Sequence, residues 1–264
     1  MDMTSEIPPL PDYPERIITF IDLLGFSRDV MMIERRPGLL LSIDAVLSAI
    51  IRCKRDLDAQ RAIGNLEFDG RMTQFSDSLV MSYRIEKGAF GRAISHAAFL
   101  GNVCIRRGYL PRGIIMTGKL VHDDRLYGRG LIDAYNAERN DIVQPRIAIG
   151  SGVLEEVRKE FAEAGQIGRA ANLTRNRGTG DFVHILGSDW PFLKTMAAKG
   201  DTGVTEMFDE IRQMLPLRYA NAEDEKQRSK IEWMSAYVND TIDEQKLPEE
   251  WKIPSLRLDR ISRS

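Results

Sequence analysis

Asp22 sits in Phe20-Ile-Asp-Leu-Leu-Gly25, near the end of an apolar, β-branched run with no polar face. An unpaired carboxylate buried in such a run costs several kcal/mol. The sequence must therefore supply a partner: a metal ion, a capped helix or an internal salt bridge. Asp77 lies in Phe75-Ser-Asp-Ser-Leu-Val80, at a polar turn between two apolar runs. A turn aspartate bonded to its own backbone is the ordinary account of such a residue. The pair is more informative than either residue alone. If the first run is a strand beside the hairpin, the two carboxylates converge at one edge of a sheet. Two carboxylates with few other ligands suit Mg²⁺ or Mn²⁺, which keep water and complete their shell with substrate phosphates. The turn Gly25-Phe-Ser27 follows directly. Backbone N–H groups of Gly25, Phe26 and Ser27, free at a helix start, would receive a phosphate at the same edge.

The elements that must position these residues follow from periodicity. Residues 1–15 are proline-rich and polar and are expected to form a flexible arm. Residues 17–24 predict a central buried strand, with Ser27 as the N-cap of the helix after it. Pro37-Gly38 breaks that helix, and a longer one is expected over 39–59. Residues 65–84 predict two strands around the turn at 76–78. Then come a helix over 88–107, a strand over 113–117 ended by Gly118, a polar loop, and a helix over 128–139. A strand over 145–149, a helix over 151–164 and a last strand over 181–186 complete the pattern. Helices are expected over 190–215 and 222–243, the charge run 223–230 forming a solvated face. There are no internal repeats. This order predicts an α+β fold of the ferredoxin-like kind: one mixed sheet with flanking helices and an antiparallel hairpin inside it. Residues 16–187 would form that domain, with 188–264 a helical C-terminal extension packed on it. That layout hosts many activities, so it does not give the function.

Composition removes several classes. At 264 residues, 43% hydrophobic and 29% charged, the chain can bury a core and is not a disordered one. The net charge of −2 offers no global basic field for nucleic acid or an anionic membrane. Cys53 and Cys104 are too few for a disulfide framework or a four-cysteine zinc site, and both fall in predicted helices as small hydrophobes. His96, His122 and His184 lack metal-ligand spacing, which argues against zinc. No basic-then-apolar leader and no run approaching the roughly 20 apolar residues of a membrane helix is present. The expectation is a soluble cytoplasmic protein.

Phe20-Ile-Asp-Leu-Leu-Gly-Phe-Ser27 resembles the first metal motif of class III nucleotidyl cyclases, and Phe75-Ser-Asp-Ser78 the second. The chain is most similar to the pyrimidine cyclases of bacterial Pycsar antiphage systems. The resemblance extends to Pro111-Arg-Gly-Ile-Ile-Met-Thr-Gly118, to Tyr127-Gly-Arg-Gly-Leu-Ile-Asp-Ala-Tyr135 with Glu138, to Pro145-Arg-Ile147 and to Ile231-Glu-Trp233. It covers roughly residues 16–240. It implies a class III cyclase catalytic domain in which Asp22, Leu23 and Asp77 form the metal set for two Mg²⁺ or Mn²⁺ ions. It further implies a head-to-tail homodimer with active sites at the interface. UTP or CTP would be converted to cyclic UMP or cyclic CMP, a second messenger for a downstream effector in antiviral defence.

The sequence departs from the family on the helix that matches 128–139. The positions that often carry asparagine and arginine are Ile132 and Asn136. Arg129, Arg139 or Arg112 would have to stabilise the transition state, Arg129 being the first choice; a plain surface or salt-bridge role is the alternative for each. The resemblance places Arg175, with Arg177, at the triphosphate. It places Thr73 and Arg125 at the base, where purine cyclases that read adenine carry lysine and aspartate. Arg125 is otherwise an ordinary loop residue. The competing readings are a purine cyclase and a degenerate cyclase-like domain that binds without turnover. An RNA-binding sheet is disfavoured because the predicted strands are aliphatic.

Overall fold

The computed structural model describes residues 12–62, 69–178, 180–187 and 202–256. Its strands are β1 (Glu15–Leu24), β2 (Gly70–Phe75), β3 (Ser78–Arg84), β4 (Leu110–Lys119), β5 (Val121–His122), β6 (Leu126–Tyr127), β7 (Ile147–Ile149), β8 (Thr174–Asn176) and β9 (Asp181–Val183). Its helices are α1 (Phe26–Met32), α2 (Leu39–Ala62), α3 (Ala89–Arg106), α4 (Arg129–Asp141), α5 (Ser151–Glu163), α6 (Ile167–Leu173), α7 (Thr202–Ala220) and α8 (Glu225–Gln245). A short 3₁₀ turn, Glu249–Trp251, follows them.

β1 is apolar at consecutive positions, so it must be covered on both faces. Ile17, Ile21 and Leu23 enter the main core with α2 and α3, while Ile18 and Phe20 point the other way, against Val80, Leu120 and Ala134. Among the described residues one mixed sheet of seven strands runs in the order β2–β3–β1–β4–β7–β9–β8. β1 is antiparallel to both β3 and β4, and β2 is antiparallel to β3. The chain thus makes two β-α-β crossovers, β1 to β2 over β3 and β3 to β4 over β1, as the α+β expectation required.

Two glycines bring α4 down on the opposite face. A Cβ on Gly118 of β4 would lie 2.7 Å from the Gly130 Cα, and one on Gly130 would lie 2.5 Å from the Ile18 Cδ1. Only hydrogen at both positions permits this approach. α4 covers β1 and β4, while the part of that face over β2 and β3 has the β5–β6 hairpin beside it, through His122 on Thr73 and Ser82.

The C-terminal helices share the main core. Phe208, Ile211 and Leu215 of α7 and Met234, Tyr237 and Val238 of α8 belong to the same cluster as Ile17 and Phe90. A buried ion pair ties α7 back to α1: Arg218 donates to Asp29 from Nη1 at 2.8 Å and lies 2.5 Å from it through Nη2. Tyr109 donates to the same carboxylate at 3.0 Å, under the Arg218 guanidinium.

Several expectations are corrected. Gly25, with φ 93°, caps α1, and Ser27 lies inside the helix, because only the residue before Phe26 turns left-handed. The polar loop after Gly118 contains the β5–β6 hairpin, too short to show alternation. Helix α6 and strand β8 precede β9, which ends at Val183 rather than at 186. Of the expected arm, residues 1–11 lie outside the described residues. The stretch that is described docks on the sheet: the Pro14 carbonyl accepts from the Leu120 N–H at 3.0 Å, and the Tyr13 hydroxyl accepts from the Arg129 N–H at 2.8 Å. Residues 63–68 and 188–201, within the expected first hairpin strand and penultimate helix, also lie outside them. Among the described residues no helix is long and apolar enough to cross a membrane.

Candidate active site

The β1–β3 register brings the two aspartates together. Asp22 stands opposite Ser78, and the Leu23 N–H donates to the Asp77 carbonyl at 2.9 Å. Asp77 occupies the second position of a two-residue hairpin turn, whose first residue, Ser76, takes a positive φ of 55°. Ser27, the second residue of α1, donates to the Asp77 carboxylate at 2.5 Å. Hairpin, strand end and helix start are thereby fixed to one another.

Asp22, Asp77, Leu23, Gly25 and Ser27 line a pocket of about 290 Å³. Phe26 does not: its ring is buried in the core against Tyr109, at 5.5 Å between centroids. The far wall comes from the C-terminal helices, as Arg218, Gln227, Lys230 and Ile231.

Asp22 pairs across the strands with Arg112 of β4, Nη2 to Oδ2 at 3.5 Å. The Arg112 Nε is bonded to Glu138 of α4, a carboxylate that is 96% buried. Burial, reinforced by Glu138 and Asp77, pushes the Asp22 carboxyl up to about 6, against the pull of Arg112 and Lys230. Burial also holds the Lys230 ammonium below its usual range, with Arg112 and Lys226 adding to the effect. A carboxyl so shifted in a cleft, with named charge partners, marks a candidate functional site.

Among the described residues no group of three or more His, Cys, Asp or Glu side chains could hold a metal ion. Asp22 and Asp77 alone still fit the mode of Mg²⁺, which binds through one or two carboxylates and takes its other ligands from water and phosphate. Burial of the Asp22 carboxyl, with Glu138 and Asp77 near it, leaves a charge that a divalent ion would offset.

The remaining predicted residues lie elsewhere. Arg129 is 85% exposed on the side chain and pairs with Asp133 at 3.4 Å, and Arg139 bonds the Tyr135 hydroxyl at 3.2 Å. Of the three arginines considered for the transition state, only Arg112 stands beside Asp22. Arg175 is held by Thr241 at 2.6 Å and by Glu244, and Arg177 by Asp240, both against aromatic rings of α8. They anchor that helix and do not line the pocket. Arg125 is turned onto Asp123 at 2.7 Å at the tip of the β5–β6 hairpin.

Thr73 sits on the α4 side of the sheet, on the part over β2 and β3 beside the β5–β6 hairpin, bonded through Oγ1 to His122 Nε2 at 2.9 Å. The Ser82 hydroxyl is fully buried, accepts from Arg16 Nε at 2.9 Å and is hydrogen-bonded to His122 Nδ1 at 2.8 Å. A neutral ring donates from one nitrogen and accepts at the other, so His122 bridges Ser82 and Thr73 across the two strands. Burial, together with Arg16 and Arg71, pushes His122 down to about 4 and keeps it neutral.

Sequence reasoning had no signal for Lys230, which lies in a charge run, or for Asp29 and Arg218, which pair across 189 residues. Glu138 entered only with the resemblance. No protein-family model matches the chain, and no curated protein matches it.

Proposed function

We propose that this chain is a nucleotidyl cyclase of the class III kind, converting a pyrimidine nucleoside triphosphate, UTP before CTP, to its 3′,5′-cyclic monophosphate and pyrophosphate. The observation that carries the reading is the convergence of Asp22 and Asp77 in one pocket, one at a strand end and one in the neighbouring hairpin turn. The strand order β4–β1–β3–β2 with its two crossovers supports a ferredoxin-like cyclase domain.

In the reaction the 3′-oxygen bonds to the α-phosphorus of the same nucleotide. The α–β bridging bond breaks, its electrons leave with pyrophosphate, and the hydroxyl proton passes to solvent. Mg²⁺ or Mn²⁺, held by Asp22 and Asp77 with the Leu23 backbone between them, would lower the pKa of the attacking hydroxyl and neutralise triphosphate charge. Arg112, steadied by Glu138, offers a fixed guanidinium to the anionic transition state and takes the place of the arginine missing from α4.

Exposed apolar side chains support a homodimer. Phe75, Tyr127, Ile132 and Tyr135 lie on the α4 side of the sheet, where soluble monomers rarely gather such groups. Thr73 shares that face, and in a head-to-tail dimer it would serve the partner's nucleotide. With His122 donating from Nε2, the Thr73 hydroxyl would donate to a uracil carbonyl, whereas Arg125 is turned onto Asp123. The product would signal to a downstream effector. One observation favours a second reading, a silent nucleotide-binding domain: the Arg112 guanidinium is already engaged by two carboxylates.

Asp22→Ala and Asp77→Ala test the proposal. Each should lower cyclic UMP formation from UTP and Mn²⁺ at least about a hundredfold, with thermal melting near or above that of the unaltered chain. Near-normal turnover in either variant removes the metal assignment.

A further inference from the structure

The cations around the pocket are not equivalent. Arg218 is committed to Asp29, at 2.8 and 2.5 Å. Arg28 reaches across to Gln227 Oε1 at 3.2 Å and to the Asn221 carbonyl at 3.4 Å, linking α1 to α8. Arg112 is shared between Asp22 and Glu138. Lys230 is half-buried on α8 and lines the pocket across from Asp22 and Asp77. Among the described residues its ammonium has neither an ion-pair nor a hydrogen-bond partner.

Removing an ammonium from water without a partner is unfavourable, and an anion with several acceptor oxygens relieves it. Lysine serves phosphate as a compact point charge with three donors. Size narrows the ligand further. At about 290 Å³ the pocket falls at the lower limit of small-molecule sites, of roughly 300 Å³ and more. It fits a polyphosphate group better than a whole nucleotide. Thr73, the residue suited to the base, is on the sheet face outside this pocket.

We propose that Lys230 binds the polyphosphate of the nucleoside triphosphate, making the C-terminal helices one wall of the active site. The identity of the ligand rests on the cyclase reading; the anion site itself rests on the pocket. α8 reaches the pocket through the Arg28–Gln227 contact and α7 through the Arg218–Asp29 pair, so both helices hold Lys230 against the catalytic edge.

The test is calorimetric titration of the full chain with sodium tripolyphosphate in EDTA, which needs no turnover. The unaltered protein should bind, and Lys230→Ala should bind at least about tenfold more weakly, the scale of one lost charge-assisted contact. Lys230→Arg should recover most of the affinity. Lys226→Ala, on an exposed site one turn away, should bind like the parent. If the alanine variant folds poorly, Lys230→Met keeps the apolar stem and replaces it. Equal affinity of parent and Lys230 variants overturns the proposal, as does no binding by the parent. Lys230-dependent binding without cyclisation of any triphosphate would sink the cyclase reading and leave the anion site standing. Cyclisation with an unchanged KM in Lys230→Ala would do the reverse.

Discussion

Above pH 6 the Asp22 carboxyl is charged in a place where burial, Glu138 and Asp77 all oppose its ionisation. Its folded value is raised from 3.8 to about 6, so between these two values the folded chain holds a proton that the unfolded chain has released. The unfavourable contribution is absent below the unfolded value, grows with pH and is complete above the folded one. About two units correspond to on the order of 3 kcal/mol. In EDTA, Asp22→Asn should therefore be more stable than the parent by on the order of 2 kcal/mol at pH 8, with the difference closing toward pH 4. Urea unfolding at both pH values measures it. A destabilised Asp22→Asn at pH 8 would mean that Arg112 already offsets the charge, leaving nothing for a cation to do. Arg112 itself is the residue that the β4 register selects, since it stands opposite Asp22.

The positions of these side chains depend on how closely the elements pack. α4 can present Glu138 to Arg112 only because Gly118 and Gly130 meet without side chains. Gly118→Ala would put a Cβ against backbone, which cannot move aside as a side chain can. It should cost about 1–3 kcal/mol, the usual range for overpacking, and lower activity by shifting Glu138. Thermal melting and turnover check both effects; an unchanged melting temperature would show that α4 tolerates a looser seat. β1, the hairpin and α3 were legible in the sequence because alternation and continuous apolar runs are local signals. The convergence of Asp22 with Asp77 was legible too, through the placement of a hairpin beside β1. The β5–β6 ribbon and β8 were not, because strands of two or three residues carry no periodicity. The α1 cap was misassigned, since Ser27 has the right side chain but Gly25 has the conformation that the turn demands. Arg175 and Arg177 were drawn toward the substrate by resemblance, whereas the nearest carboxylates, Glu244 and Asp240, are on α8.

Across the whole molecule the pocket joins the two ends of the chain. Its aspartate edge comes from residues 22–25, Ser27, Arg28 and Asp77, its far wall from Arg218, Gln227, Lys230 and Ile231, and the Asp29–Arg218 pair holds the two together. Breaking a buried pair of this kind leaves a charge without a partner, which makes the junction rigid. Thr73 and the exposed aromatic groups lie on the α4 side of the sheet, Thr73 on the part of it over β2 and β3. On the proposed reading one chain would offer the metal and phosphate site at one place and the base-reading Thr73 at another, an arrangement that a head-to-tail pair would complete. The central claim is that this assembly cyclises a pyrimidine triphosphate. Mass analysis of the products after the purified chain is incubated with equimolar ATP, GTP, CTP and UTP and Mn²⁺ tests it most directly. Cyclic UMP should be the main product, with pyrophosphate in equal amount. Cyclic CMP in its place would remove only the preference for uracil. Cyclic AMP or cyclic GMP as the main product, or no cyclic nucleotide at all, would contradict the claim.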